Sequence, residues 1–209
     1  FVAPREVHTD SRGNIYVRDV VSTMGYMSTE IRKYRPDGSY LSTIGRKGQG
    51  PGEFMMLKWF TISPGDTILC FDDMNRRLSW FTTDGAFIKN KRITDDFHQY
   101  FHSAQYWNRL LLFMGVDFRD PDHGLFSIWT RNVRQELHTF GKKEYFWDMK
   151  EDYYRHASQI EEVSFVTIDT TLLIGASPYY DGTVTMLSES QFKTCTKIAG
   201  MKPYCSPVK

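Results

Sequence analysis

No stretch of this sequence approaches the roughly 20 consecutive apolar residues that a bilayer-crossing helix needs. The longest apolar run, Leu110 to Val116, is broken by Gly115 and suits a buried strand. Neither sign of charge is in excess: 26 Lys and Arg oppose 25 Asp and Glu, for a formal net charge of +1. No global field therefore gathers nucleic acid or an anionic membrane, and no basic reader motif appears. Cysteine is scarce. Cys70, Cys195 and Cys205 make neither a disulfide framework nor a zinc pattern. Cys70 is expected as a buried thiol on an apolar strand, and Cys195 and Cys205 have a local bridge as an option in an oxidising compartment. The G-x-S-x-G, H-E-x-x-H and G-x-x-x-x-G-K-[ST] motifs are all missing. Helical periodicity is almost absent too. Only Lys142 to Glu162 has room for a turn or two of helix, inside a long loop.

What is present is repetition, on a core-sized supply of apolar residues, 41% of the chain, and aromatics, 15%. Asp37-Gly38 and Asp84-Gly85 lie 47 residues apart, each with an aromatic three positions before the Asp and another two after the Gly. Asn14 to Asp19 matches Thr67 to Asp72 at an offset of 53, and Phe1 matches Phe54 at the same offset. Weaker copies run through Arg109 to Met114, Leu125 to Thr130 and Glu136 to Phe140, and then through Thr171 to Gly175, Thr183 to Leu187 and Phe192 to Ile198. Four short strands per unit at a period near 47, with turns between them, are the pattern of propeller blades. The expected fold is all-β: a β-propeller with four recognisable four-stranded antiparallel blades, approximately 1–45, 54–92, 103–140 and 162–198, forming part of a six-bladed ring. A closed four-bladed ring is the alternative.

The Asp-Gly pairs read as two-residue hairpin turns. Ser11 to Asn14 and Ser63 to Asp66 are further turns, and others are expected at Trp107-Asn108, 131–134, 169–170 and 188–191. In a meander these short turns gather at one end of the blades. The long connections 19–29, 45–56, 72–76, 90–102, 115–124, 141–162 and 176–182 gather at the other, where a rigid scaffold usually carries its binding loops.

The segment from Ile31 to Phe54 and the segment from Asp10 to Asp19 resemble the blade junction of bacterial six-bladed β-propeller proteins with NHL-type repeats. The resemblance is specific over about residues 1–90 and continues beyond as strand pattern alone. It implies a secreted, periplasmic or outer-membrane-associated protein, often a lipoprotein, in a family whose members bind proteins, glycans or RNA; without a basic face, a protein or glycan is the expected partner here. Some propellers of similar shape are calcium-dependent hydrolases or lyases. No catalytic residue carries over.

Candidate sites follow from residue chemistry. The glycine-rich run 45–52 is expected as a blade crossover pinned by Arg46 and Glu53 rather than as a phosphate loop. Asp19, Asp72 and Asp73 end strands and are expected to accept backbone hydrogen bonds. His8 sits on the first inner strand, and His98 and His102 precede the third, without a third zinc ligand in sight. Asp117, Asp120, Asp122 and His123 crowd one loop and offer the hard donors that Ca²⁺ takes. Loop aromatics Trp107, Tyr145, Phe146, Trp147, Tyr153, Tyr154, Tyr179 and Tyr180 either cap the ring or form a recognition surface. The preferred reading is a non-catalytic binding or scaffold propeller of the cell envelope, without a cofactor. The runner-up is a metal-dependent hydrolase or lyase with Asp and His at the central channel.

Overall fold

The computed structural model describes residues 4–19, 29–93, 99–107, 110–117, 126–140, 164–168, 171–175, 184–188, 193–197 and 204–207. Among them every regular element is a β-strand, and the strands form four antiparallel meanders. Blade 1 holds β1 (Pro4–Thr9), β2 (Ile15–Asp19), β3 (Ile31–Tyr34) and β4 (Tyr40–Ile44). Blade 2 holds β5 (Leu57–Ile62), β6 (Thr67–Asp72), β7 (Arg77–Thr82) and β8 (Phe87–Arg92). Blade 3 holds β9 (Gln99–Trp107), β10 (Leu110–Asp117), β11 (Phe126–Thr130) and β12 (Glu136–Phe140). Blade 4 holds β13 (Ser164–Ile168), β14 (Thr171–Gly175), β15 (Val184–Ser188), β16 (Lys193–Lys197) and a fifth strand, β17 (Tyr204–Pro207), that the repeat pattern did not announce. The β16–β17 register sets Cys195 opposite Cys205. Cys70 is free and buried, and burial raises its thiol pKa well above the ordinary value.

Strands β1, β5 and β9 run side by side, so the first strand of each of blades 1–3 is its innermost. Strand β8 is exposed along most of its length and carries Lys89, Lys91 and Arg92, charges that discourage edge pairing. Alternation along each strand sends one face of blade 2 toward blade 1 and the other toward blade 3. Tyr16, Ile31, Ile44, Phe54, Leu57, Phe60, Ile68, Cys70 and Phe81 close the first seam. Trp59, Leu69, Phe71, Leu78, Trp80, Tyr106, Leu111, Phe113 and Trp129 close the second. Burying each large side chain contributes about 2–3 kcal/mol, and ring pairs such as Trp59–Phe113, with centroids 5.8 Å apart, add edge-on contacts. Tyr34, by contrast, is half-buried, with its ring 5.9 Å from that of Tyr40.

The turns share one construction. Gly13, Gly38 and Gly85 donate to the carbonyls of Asp10, Arg35 and Thr82 three residues back, and each glycine then takes a positive φ. These are type I turns closed by a left-handed residue. The Asp-Gly pairs are thus not two-residue loops: the Asp completes the type I turn and the Gly fills the left-handed slot. Asp66 and Val133 take that slot in two further turns, at φ 54° and 56°.

Candidate functional site

The short-turn end locks blades together. The Ser11 amide and hydroxyl both donate to Asp66, at 2.9 and 2.5 Å. Lys33 Nζ, buried, donates to the Thr83 carbonyl at 2.8 Å. Beneath them Asp10 accepts the amides of Arg12 and Asn14, the Asn14 side-chain amide and the Tyr16 hydroxyl, all at 2.8–3.0 Å. Burial pushes the Asp10 pKa up, but the bonds from Asn14, Tyr16 and Arg12 outweigh it and hold the carboxyl below its ordinary value. Tyr16 is driven the other way, by burial and then by Asp10.

At the opposite end the glycine-rich crossover is fully visible. Glu53 accepts Arg46 Nε and the Gly50 amide, each at 2.8 Å. These two donors hold its carboxyl below the usual carboxylate range. Arg77 donates to the carbonyls of Gln49, Gly50 and Glu53. The Gly48 amide turns inward to the Phe54 carbonyl, so the run spends its donors on itself and cradles no phosphate. Asp72, fully buried, accepts the amides of Met55 and Met56 at 3.1 and 3.0 Å, in the strand-end role expected of it. Asp19 is buried 3.5 Å from Arg32, and Asp73 lies 4.0 Å from Arg76.

Near the axis, Glu6 bridges blades: its Oε2 accepts the Phe60 amide at 2.9 Å and Arg18 Nε at 3.2 Å. His8 lies 3.6 Å from the other Glu6 oxygen and presents its ring edge-on to Phe60 at 4.8 Å, so it is turned into the blade 1–2 seam. His102 is buried on β9. Among the described residues no three His, Cys, Asp or Glu side chains gather to hold a metal ion. Asp117 ends β10 in register with Gln99. Asp120, Asp122, His123 and His98 fall outside the described residues, as do Tyr145, Phe146, Trp147, Tyr153, Tyr154, Tyr179 and Tyr180.

Trp107 requires a correction. The sequence places it in a turn, as a surface aromatic. The structure makes it the last residue of β9, paired with Leu110 and fully buried. The register puts it on the face of blade 3 turned away from blade 2, with the buried Leu112, Met114 and Ile128, so the indole serves packing and not recognition.

Sequence reasoning also missed a concavity at the short-turn end of the blade 2–3 seam. It measures about 330 Å³ and is lined by Thr67, Trp80, Lys89, Tyr106, Arg131 and Asn132. Lys89 Nζ stands 4.7 Å over the Trp80 ring, and the Arg131 guanidinium stands 5.9 Å over the Tyr106 ring. Arg131 Nη2 also donates to Ser63 Oγ at 3.1 Å. Burial raises the Tyr106 pKa to about 12, against the opposing pull of Trp80 and Arg131, so the phenol stays neutral. The residues come from four strands and a turn, far apart in sequence, and no local motif joins them.

Residues 13–201 match the DUF5128 family, described as a 6-bladed beta-propeller. No curated protein matches the sequence. Among solved structures, the chain is similar to a candidate exported protein from Bacteroides fragilis, with a TM-score of 0.56, 12% identity, and coverage of 99% of this chain and 70% of the other. It is also similar to a DUF4221-family protein from Bacteroides vulgatus, at TM-score 0.59 and 13% identity, covering all of this chain and 59% of that one. A third is a gluconolactonase from Xanthomonas campestris, at TM-score 0.52 and 12% identity, covering 84% of this chain and 54% of that one. The chain thus spans between about half and 70% of the length of these structures. At such identities the likeness is one of fold.

Proposed function

The chain belongs to the DUF5128 family of six-bladed β-propellers, and from that premise we propose that it is a non-catalytic binding scaffold of the bacterial cell envelope, with NHL-type repeats. Its recognition face is the long-connection end, and its ligand is a protein or glycan. One observation carries the reading: the short turns between blades 1 and 2 are spent in fastening blade to blade, through Ser11–Asp66 and Lys33–Thr83. Variation is tolerated best at the other end, where the connections are long and the scaffold beneath is stiffened by Asp72 and Arg77. Tyr145, Phe146, Trp147, Tyr153, Tyr154, Tyr179 and Tyr180 are the recognition residues of this reading.

The test uses the full chain on an array of acidic and neutral glycans and in photo-crosslinking to envelope proteins, beside a variant with Tyr145, Trp147, Tyr153 and Tyr154 all changed to Ala. Saturable binding by the parent, lost in the variant at unchanged melting temperature, is the expected result. Calcium-dependent turnover of a lactone or glycan, abolished by Asp120→Ala and Asp122→Ala, would overturn it in favour of a hydrolase or lyase.

A further inference from the structure

We propose that the cleft between blades 2 and 3 binds the oxyanion of a small polar ligand, with Arg131 and Lys89 as its cations and Asn132 and Thr67 as its neutral partners. The site lies at the opposite end of the blades from the recognition face and stands independently of it.

Charge is the first argument. No carboxylate lines the cleft, and neither Lys89 nor Arg131 is paired with one among the described residues. Across the blade 1–2 seam Lys33, which lies 5.4 Å over the Tyr16 ring, also reaches the Thr83 carbonyl; Lys89 and Arg131 rest on aromatic faces with no carbonyl or carboxylate partner among the described residues. Lys91, two residues on from Lys89 along β8, donates to the Val133 carbonyl of the turn that carries Arg131. Its pKa is lowered by burial and then by Arg134.

Pre-organisation is the second. Stacking on Tyr106 and the bond to Ser63 hold the Arg131 fork, while among the described residues its remaining N–H groups meet no acceptor and are available for a two-point contact with a carboxylate or phosphate. Gly65 lets this happen: a Cβ there would sit 2.9 Å from Arg131 Nη2.

Strain is the third. Val133, two residues after Arg131, is β-branched yet holds φ 56°. Such a residue enters that region only when its surroundings impose it. Here the side chain is fully buried in the seam, and its carbonyl accepts Lys91 Nζ at 2.5 Å. The strained turn is the one that presents Arg131 and Asn132. The volume, about 330 Å³, lies at the small end of ligand pockets and suits a group the size of one sugar ring.

The oxyanion has two sources, an acidic sugar or free phosphate. Trp80 beneath Lys89 supplies a fluorescence readout. The full chain is titrated with glucuronate, glucose and inorganic phosphate, beside Arg131→Gln and Lys89→Gln. At least one anion is expected to perturb the fluorescence saturably while glucose does not. Arg131→Gln is expected to weaken binding about tenfold or more, and Lys89→Gln by about threefold. Tighter binding of glucuronate assigns the sugar, and tighter binding of phosphate the free ion. Lys89 is exposed on an edge strand, so its variant retains the fold even if Arg131→Gln does not. Silence from both anions, equal binding of glucose and glucuronate, or affinity unchanged in every folded variant would overturn the site.

Discussion

The two seams that flank blade 2 are built from the same materials and finished differently. Both are aromatic cores between facing sheets. At the short-turn end the blade 1–2 seam is sealed: Lys33 and Ser11 cross it to oxygen acceptors, and Asp10 spends both its oxygens beneath them. The blade 2–3 seam is crossed too, by Lys91 to the Val133 carbonyl and Arg131 to Ser63, but it leaves a cleft in which Lys89 and Arg131 lie on aromatic rings. Apolar packing thus underlies both seams, with polar crossings added to it. The polar end of a seam is free either to add rigidity or to stay available for a ligand.

Cutting the apolar part of either seam should cost most, and about equally. Phe81 serves the first and Phe113 the second, each at most 1% exposed. Phe81→Ala and Phe113→Ala are each expected to lose about 3–5 kcal/mol in denaturant unfolding. A loss below about 1 kcal/mol at one of them would show that its seam is not a core.

Gly45→Ala should come next and strike only the sealed seam. Gly45 holds φ 83°, and a Cβ there would lie 2.3 Å from the buried Phe54 ring. About 2 kcal/mol or more is expected from the left-handed backbone and the displaced ring together. A melting temperature equal to the parent's would refute the crossover as the clamp of this seam.

Acid should loosen the sealed seam through Asp10. Its folded pKa lies below the ordinary 3.8, so its contribution is complete above that value and is lost as pH falls through the folded one. Stability should therefore decline as pH drops below about 4. Asp10→Asn should flatten that part of the profile and cost about 1–3 kcal/mol near neutrality, where two acceptor positions are lost. An unchanged acid limb in the variant assigns the decline to other carboxylates.

Legibility followed the same division. Asp37-Gly38 and Asp84-Gly85 repeat because each hairpin needs one left-handed residue at a fixed place, so local chemistry revealed the period and with it the blades. Arg46, Glu53 and Asp72 were readable for a similar reason: their partners are near in sequence or at a strand end. Trp107 was misplaced because an aromatic before an Asn looks like a turn, whereas pairing with Leu110 carries the strand one residue further. The cleft was invisible because Lys89 and Arg131 meet only once β8 and the β11–β12 turn come together across a seam. Glu6 was missed likewise, since its acceptor role depends on the Phe60 amide 54 positions away.

The smallest effect on stability should be the most informative about the open seam. Gly65 carries no left-handed φ, so Ala fits its backbone, and the one crowded neighbour is the tip of a flexible guanidinium. Gly65→Ala should change stability by no more than about 0.5 kcal/mol, with any gain coming from a less free unfolded chain. The Arg131 tip, however, must leave Ser63 to make room for the methyl group. Oxyanion affinity should then fall several-fold at unchanged melting temperature, a separation that Gly45→Ala cannot produce. If affinity and stability fall together at Gly65, the cleft is one more locked junction, and the contrast between the seams disappears.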